Sequence, residues 1–367
     1  MRRISTLLVA MACCCPAFGW GAYGHRTITY LALDSLPAQA PAWLRDETVR
    51  HRIAYQSSEP DRWRGWRSSA LTHENDADHY IDVDLLDPFG LTLDSLPPLR
   101  YEYLRALAIA KHVHPESAPA YDASSDPDRT KEWPGFLPYA IVEHYAKLQA
   151  AFNQVRMLEQ MNEPARAFQL QTSRENAIYH MGILSHFVGD AAQPLHTTIH
   201  HHGWVGANPN GYTTDKGFHA LIDTGILDQH HIAYEMLRPR MTRHHEIHPM
   251  SPWDDVLGHI RRSFDQIEPL YQLEKSGALR EEAGKELICE RLIDGATMLR
   301  DLYWAAYQSA APTPEQMASF VRYAEQKSEP LPSPVLTTPP ADGATGDAAA
   351  ASQPAVAPTT QPTATPN

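Results

Sequence analysis

The chain has 367 residues, 43% hydrophobic and 20% charged, with a net charge of −13. That is ordinary globular composition and excludes collagen, a coiled coil and a wholly disordered chain; no internal apolar run reaches the roughly 18 residues of a membrane span, and the acidic balance argues against binding nucleic acid by charge alone. Length allows two or three domains of about 150 residues or one large core, and 20 His against 4 Cys leaves too few thiols for a disulfide scaffold.

In chain order, Arg2 and Arg3 precede the short apolar stretch Ile4 to Ala12, and the small residues Ala17 and Gly19 stand just before Trp20. Residues 1–19 are therefore expected to be a secretory signal peptide cut before Trp20, sending the protein to the periplasm or the exterior. The rival reading, from Ala10 to Cys13, is a lipoprotein cleaved at Cys13. Removal of the leader takes Cys13, Cys14 and Cys15 with it and leaves Cys289, so no internal disulfide is expected. From Ser328 to the end, prolines are spread among Ala, Thr, Ser and Gln, too little apolar material to offset ordering entropy; residues 328–367 are expected to be a disordered tail.

Between these, residues 20–327 read as one domain, because the periodicity is mainly helical. Helices are expected over Thr27–Leu36, Leu99–His112, Leu137–Met161, Glu163–Asp190, Phe218–Leu237, Trp253–Leu273 and Leu279–Ser309. Tyr80–Val83 is the best extended candidate, and Pro115–Gly135 and Thr197–Gly217 are expected long loops. The fold class is all-α, a single helical domain with long loops.

The chemistry concentrates in His186-Phe-Val-Gly-Asp190-Ala-Ala-Gln-Pro-Leu-His196. On a helix His186 and Asp190, at i and i+4, point the same way. Pro194 breaks the helix, so His196 leaves at another angle and can serve a second centre. His219-Ala-Leu-Ile-Asp223 repeats the i,i+4 pair. Imidazole and carboxylate are ordinary zinc ligands, though a lone pair of this kind is more often a helix-surface ion pair. At the start Trp20-Gly-Ala-Tyr-Gly-His25, a free α-amino group and the Trp20 carbonyl would chelate a metal with His25 if the chain is cut there; the plainer role for Trp20 is a buried anchor. Glu59-Pro-Asp61-Arg-Trp-Arg64 and Asp78-His79-Tyr80-Ile-Asp82 are weak alone: Asp61 suits a helix cap and His79 a core.

Taken together, in order, these motifs resemble the S1/P1 nuclease family, which belongs with zinc-dependent phospholipase C to one superfamily of helical phosphodiesterases. The resemblance runs from Trp20 to about Ser309 and rests most on the Trp-Gly-x-x-Gly-His start and the run from His186 to His196. It implies a fold of the phospholipase C/P1 nuclease type with three Zn²⁺. The first would be held by Asp61, His79, His186 and Asp190, the second by the Trp20 amino nitrogen and carbonyl, His25 and a bridging Asp190, the third by His196, His219 and Asp223. It further implies Arg64 beside the substrate phosphate and Tyr80 stacking on a base. Asp61, Arg64 and Asp190 would then be the catalytic set, and Arg64 and Tyr80 the substrate contacts. A zinc-bound hydroxide would attack the phosphodiester while the third ion stabilises the leaving oxygen. Asp82 stands where it would brace a ligand histidine.

The five-residue step from Trp20 to His25 and Asp223 in place of Glu favour an endonuclease acting on single-stranded DNA or RNA, as a monomer with no stable protein partner. Phospholipase C acting on phospholipid head groups is the alternative: His-Ala-Leu-Ile-Asp departs from the nuclease pattern His-Ser-x-Trp-Asp, and the stretch from His79 to His186 is long. A periplasmic zinc-binding protein without catalysis is the second alternative, suggested by the His-rich loop. The runs His200–His202, His230–His231 and His244–His245 are expected to be solvated and inert, and His73 competes with His79 as a ligand. No Gly-x-Ser-x-Gly elbow occurs to support a serine hydrolase.

Overall fold

The computed structural model describes residues 20–325. The expected leader, Cys13 and the tail from Ser328 lie outside them. In chain order the helices are α1 (Gly21–Asp34), α2 (Glu47–Gln56), α3 (Glu59–Arg64), α4 (Ser69–Asn75), α5 (Arg100–Val113), α6 (Leu137–Met161), α7 (Ala167–Ala192), α8 (Phe218–Ala220), α9 (Ile226–Gln229), α10 (Tyr234–Leu237), α11 (Trp253–Phe264), α12 (Ile267–Ser276), α13 (Glu282–Ser309) and α14 (Pro314–Glu325). The fold is all-α: among the described residues the one β contact is an isolated antiparallel bridge between Ile81 and Gly135. The compact unit that holds everything discussed below extends to Met317; Ala318 onward forms a second unit, of which the described part is the end of α14. No helix among the described residues is long and apolar enough to cross a membrane.

Helix α7 is the axis of the core. It packs on α6, α13, α2 and α1. Its first half is polar and partly exposed, but every residue from Met181 to Ala192 is buried. That stretch is small or apolar all round, the pattern of a helix enclosed by neighbours. Two of its polar residues, His186 and Asp190, are fully buried in consequence. Pro194, which cannot continue the helix, stops it just after Ala192. Cys289, buried in α13, is the only free cysteine among the described residues.

The periodicity of Leu137–Met161 matches α6 residue for residue, and α5 is displaced by one. Other expectations require correction. Helix α1 begins at Gly21 rather than Thr27, because Gly21 and Gly24 disguise its first turn. The single helix expected over Phe218–Leu237 is broken into α8, a π turn at Leu221–Gly225, α9 and α10. His231 at φ 49° is left-handed backbone that no right-handed helix accommodates. Trp253–Leu273 is two helices, α11 and α12, with Pro269 in the first turn of α12, where its missing N–H costs nothing. The N-terminal end of Glu163–Asp190 is a 3-10 turn, Pro164–Arg166, and Leu279–Ser309 starts with another, Ala278–Arg280. Tyr80–Val83 forms no strand within a sheet. Ile81 and Val83 instead donate to the carbonyls of His196 and Thr197, at 2.9 and 3.1 Å. Helices α2, α3 and α4 are short and bury few residues, so their apolar period is faint.

Candidate metal centre

Three segments converge on the buried end of α7. Helix α1 carries His25, α3 carries Asp61, and a 3-10 turn after α4 (Asp76–His79) carries His79. Two donors on one tetrahedral zinc, the ion the resemblance implies, stand roughly 3.3 Å apart. His186 Nε2 lies 3.2 Å and His79 Nδ1 3.1 Å from Asp190 Oδ2. The two imidazole nitrogens are 3.0 Å apart, and Asp61 Oδ1 is 4.0 Å from one and 3.9 Å from the other. On the opposite carboxylate oxygen, Asp190 Oδ1, His25 Nε2 stands at 3.3 Å. Gly189 permits this approach: a Cβ there would meet His25 Nδ1 at 2.7 Å. Two groups thus form around α7, His25 with His186 and Asp190, and Asp61 with His79 and His186.

The third group is His196, His219 and Asp223. His219 Nε2 and Asp223 Oδ2 are 3.4 Å apart, and the rings of His196 and His219 are 4.9 Å apart. Asp223 sits in the π turn after α8; such inserted turns re-aim side chains and recur at functional sites. Gln193 holds the geometry from both ends. Its Oε1 accepts from the Leu195 N–H at 2.5 Å, fixing the turn to His196, and its Nε2 donates to Asp223 Oδ1 at 2.7 Å.

Six of the donor atoms have no hydrogen-bond partner. His25, His196 and His219 leave Nε2, and Asp61, Asp190 and Asp223 leave a carboxylate oxygen, buried without a hydrogen-bond partner. Each such atom costs about 1–3 kcal/mol in a dry interior, and ordinary histidine–carboxylate pairs would not accumulate six of them in one place. Nδ1 of His25 and of His219 is also without a partner, whereas two rings are anchored at the opposite nitrogen: His186 Nδ1 lies 2.8 Å from the Ser57 carbonyl and His196 Nδ1 2.6 Å from that of His79. With the proton at Nδ1, each ring presents a lone pair at Nε2, the tautomer a metal requires. The residues present therefore fit metal ions.

The electrostatics pull both ways: burial would lower His186, but Asp190 and Asp61 raise it above the usual imidazole value. Burial would push the Asp190 carboxyl up, but His186 and His196 hold it well below the usual range. Burial drives His79 down to about 4 and His219 well below the usual imidazole value, so both are neutral at pH 7. Burial lowers His25 too, and His186 beside it adds to the effect. Asp223 is pushed well above the usual carboxylate range by burial, against the Gln193 hydrogen bond.

Two of the groups reach one cavity of about 540 Å³, one through His79 and the other through His196 and His219; Arg64, Tyr80 and Lys131 share its wall. Arg64 stands 3.9 Å from Asp61 and 3.6 Å from Asp76. The Tyr80 hydroxyl donates to the Thr130 carbonyl at 2.7 Å, which fixes its ring in the wall. Trp20 is buried at the head of α1, and its carbonyl accepts the Gly24 N–H at 3.0 Å. His73 is exposed beside the Asp128 carbonyl and joins none of the groups. Asp82 braces no histidine: its buried Oδ1 has no partner, and burial pushes its carboxyl up. His200 is not solvated; it stacks on Trp204 with ring centroids 3.8 Å apart, and the four-residue step from His200 to Trp204 was the available signal. His201 and His202 line the cavity. His245 is also engaged, 3.3 Å from Asp294, His244, though exposed, meets the Arg300 guanidinium at 2.9 Å, and His230 is half-buried; His231 is exposed as expected. No protein-family model matches the chain, and no curated protein matches it either.

Proposed function

We propose that the chain is a secreted zinc-dependent phosphodiesterase of the S1/P1 nuclease kind, hydrolysing single-stranded nucleic acid. The observation that carries this reading is the set of unpartnered buried donor atoms in three groups, two of which reach one cavity. Bound there, zinc supplies Lewis acidity toward phosphate oxygens and acidifies water, so that a nucleophile is available near neutral pH. The chain's own residues then have little proton transfer to perform. Asp61 and Asp190 supply the negative charge that holds two ions close together, with the amino nitrogen and carbonyl of Trp20 completing the second set once Trp20 is the first residue. Arg64 at the cavity wall contacts the phosphate, and Tyr80, its ring already fixed, stacks on a base at little entropic cost. Three divalent ions more than offset the three carboxylates, so a polyanion is admitted to an acidic protein. A zinc store would close its sites with protein ligands; a cavity of about 540 Å³ against three of the histidines favours an enzyme.

The test is hydrolysis of single-stranded DNA, RNA and phosphatidylcholine by protein beginning at Trp20, with zinc and with a chelator. Chelator-sensitive release of nucleotides is expected. Release of diacylglycerol would move the activity to the phospholipase C branch on the same residues. Three tightly bound zincs with neither hydrolysis would leave a zinc-binding protein.

A further inference from the structure

The loop after His196 is built rather than loose. The Asp84 carboxylate accepts from Thr198 Oγ1 at 2.5 Å and from the Ile199 N–H at 3.1 Å. Tyr271 donates to the His200 carbonyl, and His200 stacks on Trp204. Gly203, at φ 87°, lets the loop close against Thr214, whose backbone a Cβ would meet at 2.5 Å. This frame holds His201 and His202 on the cavity wall beside His219.

Two imidazoles sharing a tetrahedral zinc place their ring centroids roughly 5 Å apart, given the Zn–N length. His201 and His202 are 4.6 Å apart, and His202 and His219 5.4 Å. The third group shows the same spacing, 4.9 Å between His196 and His219. His201 also repeats the anchoring of His186 and His196: its Nδ1 lies 3.1 Å from the Thr198 carbonyl, which leaves the lone pair at Nε2. His196, His219 and Asp223 are all less than one-tenth exposed, so an ion bound for them must cross the cavity. Arg64 and Lys131 on the same wall repel a divalent cation, and a neutral ligand pair gives it a resting place.

We propose that His201 and His202 form an auxiliary zinc site on the wall of the cavity, through which the ion reaches the third group. The proposal rests on reading the three buried groups as metal sites. Two protein ligands leave positions for water, so the site is weak and exchanges readily, as a transfer site must.

Protein beginning at Trp20 serves for the test, because the count of tight equivalents includes the second set, which needs that free amino terminus. Stripped protein is titrated with zinc chloride, bound metal is counted, and the rate of reloading is followed by stopped flow with a chromophoric chelator. Wild type is expected to bind a fourth equivalent at least about tenfold more weakly than the rest. The double variant His201→Asn/His202→Asn is expected to keep the tight equivalents, lose the fourth, and reload about tenfold more slowly. Retention of the fourth equivalent overturns the site, and an unchanged reloading rate overturns the route. In wild type, independent of how the variant folds, the His201 and His202 imidazole nitrogen resonances shift with the fourth equivalent and not earlier; shifts confined to other histidines overturn the assignment. Failure of wild type to bind any zinc would instead remove the metal reading itself.

Discussion

Asp190 faces two ways: Oδ2 toward His79 and His186, Oδ1 toward His25. Replacing it with Asn removes charge from both neighbouring groups and leaves the third, on His196, His219 and Asp223, intact. Asp190→Asn is therefore expected to drop bound zinc from three per chain to about one. Its hydrolytic rate should fall more than about 100-fold, beyond the loss typical of an outer hydrogen bond alone. Metal analysis of the folded variant checks this; three retained ions would exclude Asp190 as a shared ligand. The pairs His186–Asp190 and His219–Asp223 were legible from helical spacing. Asp61 and His79 were not, since each comes from a different short segment and only packing against α7 joins them; the resemblance alone singled them out. The His200–His202 run misled because a row of histidines reads as polar, while one of them packs on a tryptophan four residues on.

At the scale of the element, α7 does two jobs with one face pattern. Gly189 is the point where they meet, because its missing side chain is the room that His25 occupies. Gly189→Ala is expected to cost about 1–3 kcal/mol by overpacking and to weaken the zinc that His25 holds. Denaturant unfolding and metal content measured together would show it, and an unchanged zinc content would mean that His25 is not a ligand. Long helices such as α6 were readable to the residue because their apolar period repeats many times. The segment from α8 to α10 was not, since a π turn and a left-handed His231 leave composition and rough period intact while breaking the helix.

Across the whole molecule, α11 and α13 are joined by a buried charge network. Asp294 on α13 meets His259 of α11 at 3.2 Å, Arg262 at 3.2 Å and His245 at 3.3 Å. Burial would raise the Asp294 carboxyl, but the hydrogen bonds from His245 and His259 hold it far below the usual range. A carboxyl depressed on folding stabilises fully above its unfolded pKa of about 4 and loses that contribution as pH falls below it. Asp294→Asn is thus expected to be less stable by about 3 kcal/mol at pH 7, with the gap to wild type narrowing below about pH 4. Unfolding curves across pH decide; a gap that widens in acid would contradict the assignment.

Metal should reinforce the same core. An ion at a thousand times its dissociation constant contributes about 4 kcal/mol, so stripping zinc is expected to lower the unfolding midpoint by at least about 10 °C. A calorimetric scan unchanged by chelator would mean that the three groups are ordinary buried pairs.

Cys289 gives the molecule one further property. It lies buried in α13, and no second cysteine stands among the described residues for it to bridge. A phosphine reductant has no crosslink there to open, while a chelator addresses every proposed ion. Among the described residues a reductant and a chelator thus address different groups, and only the chelator addresses the proposed ions.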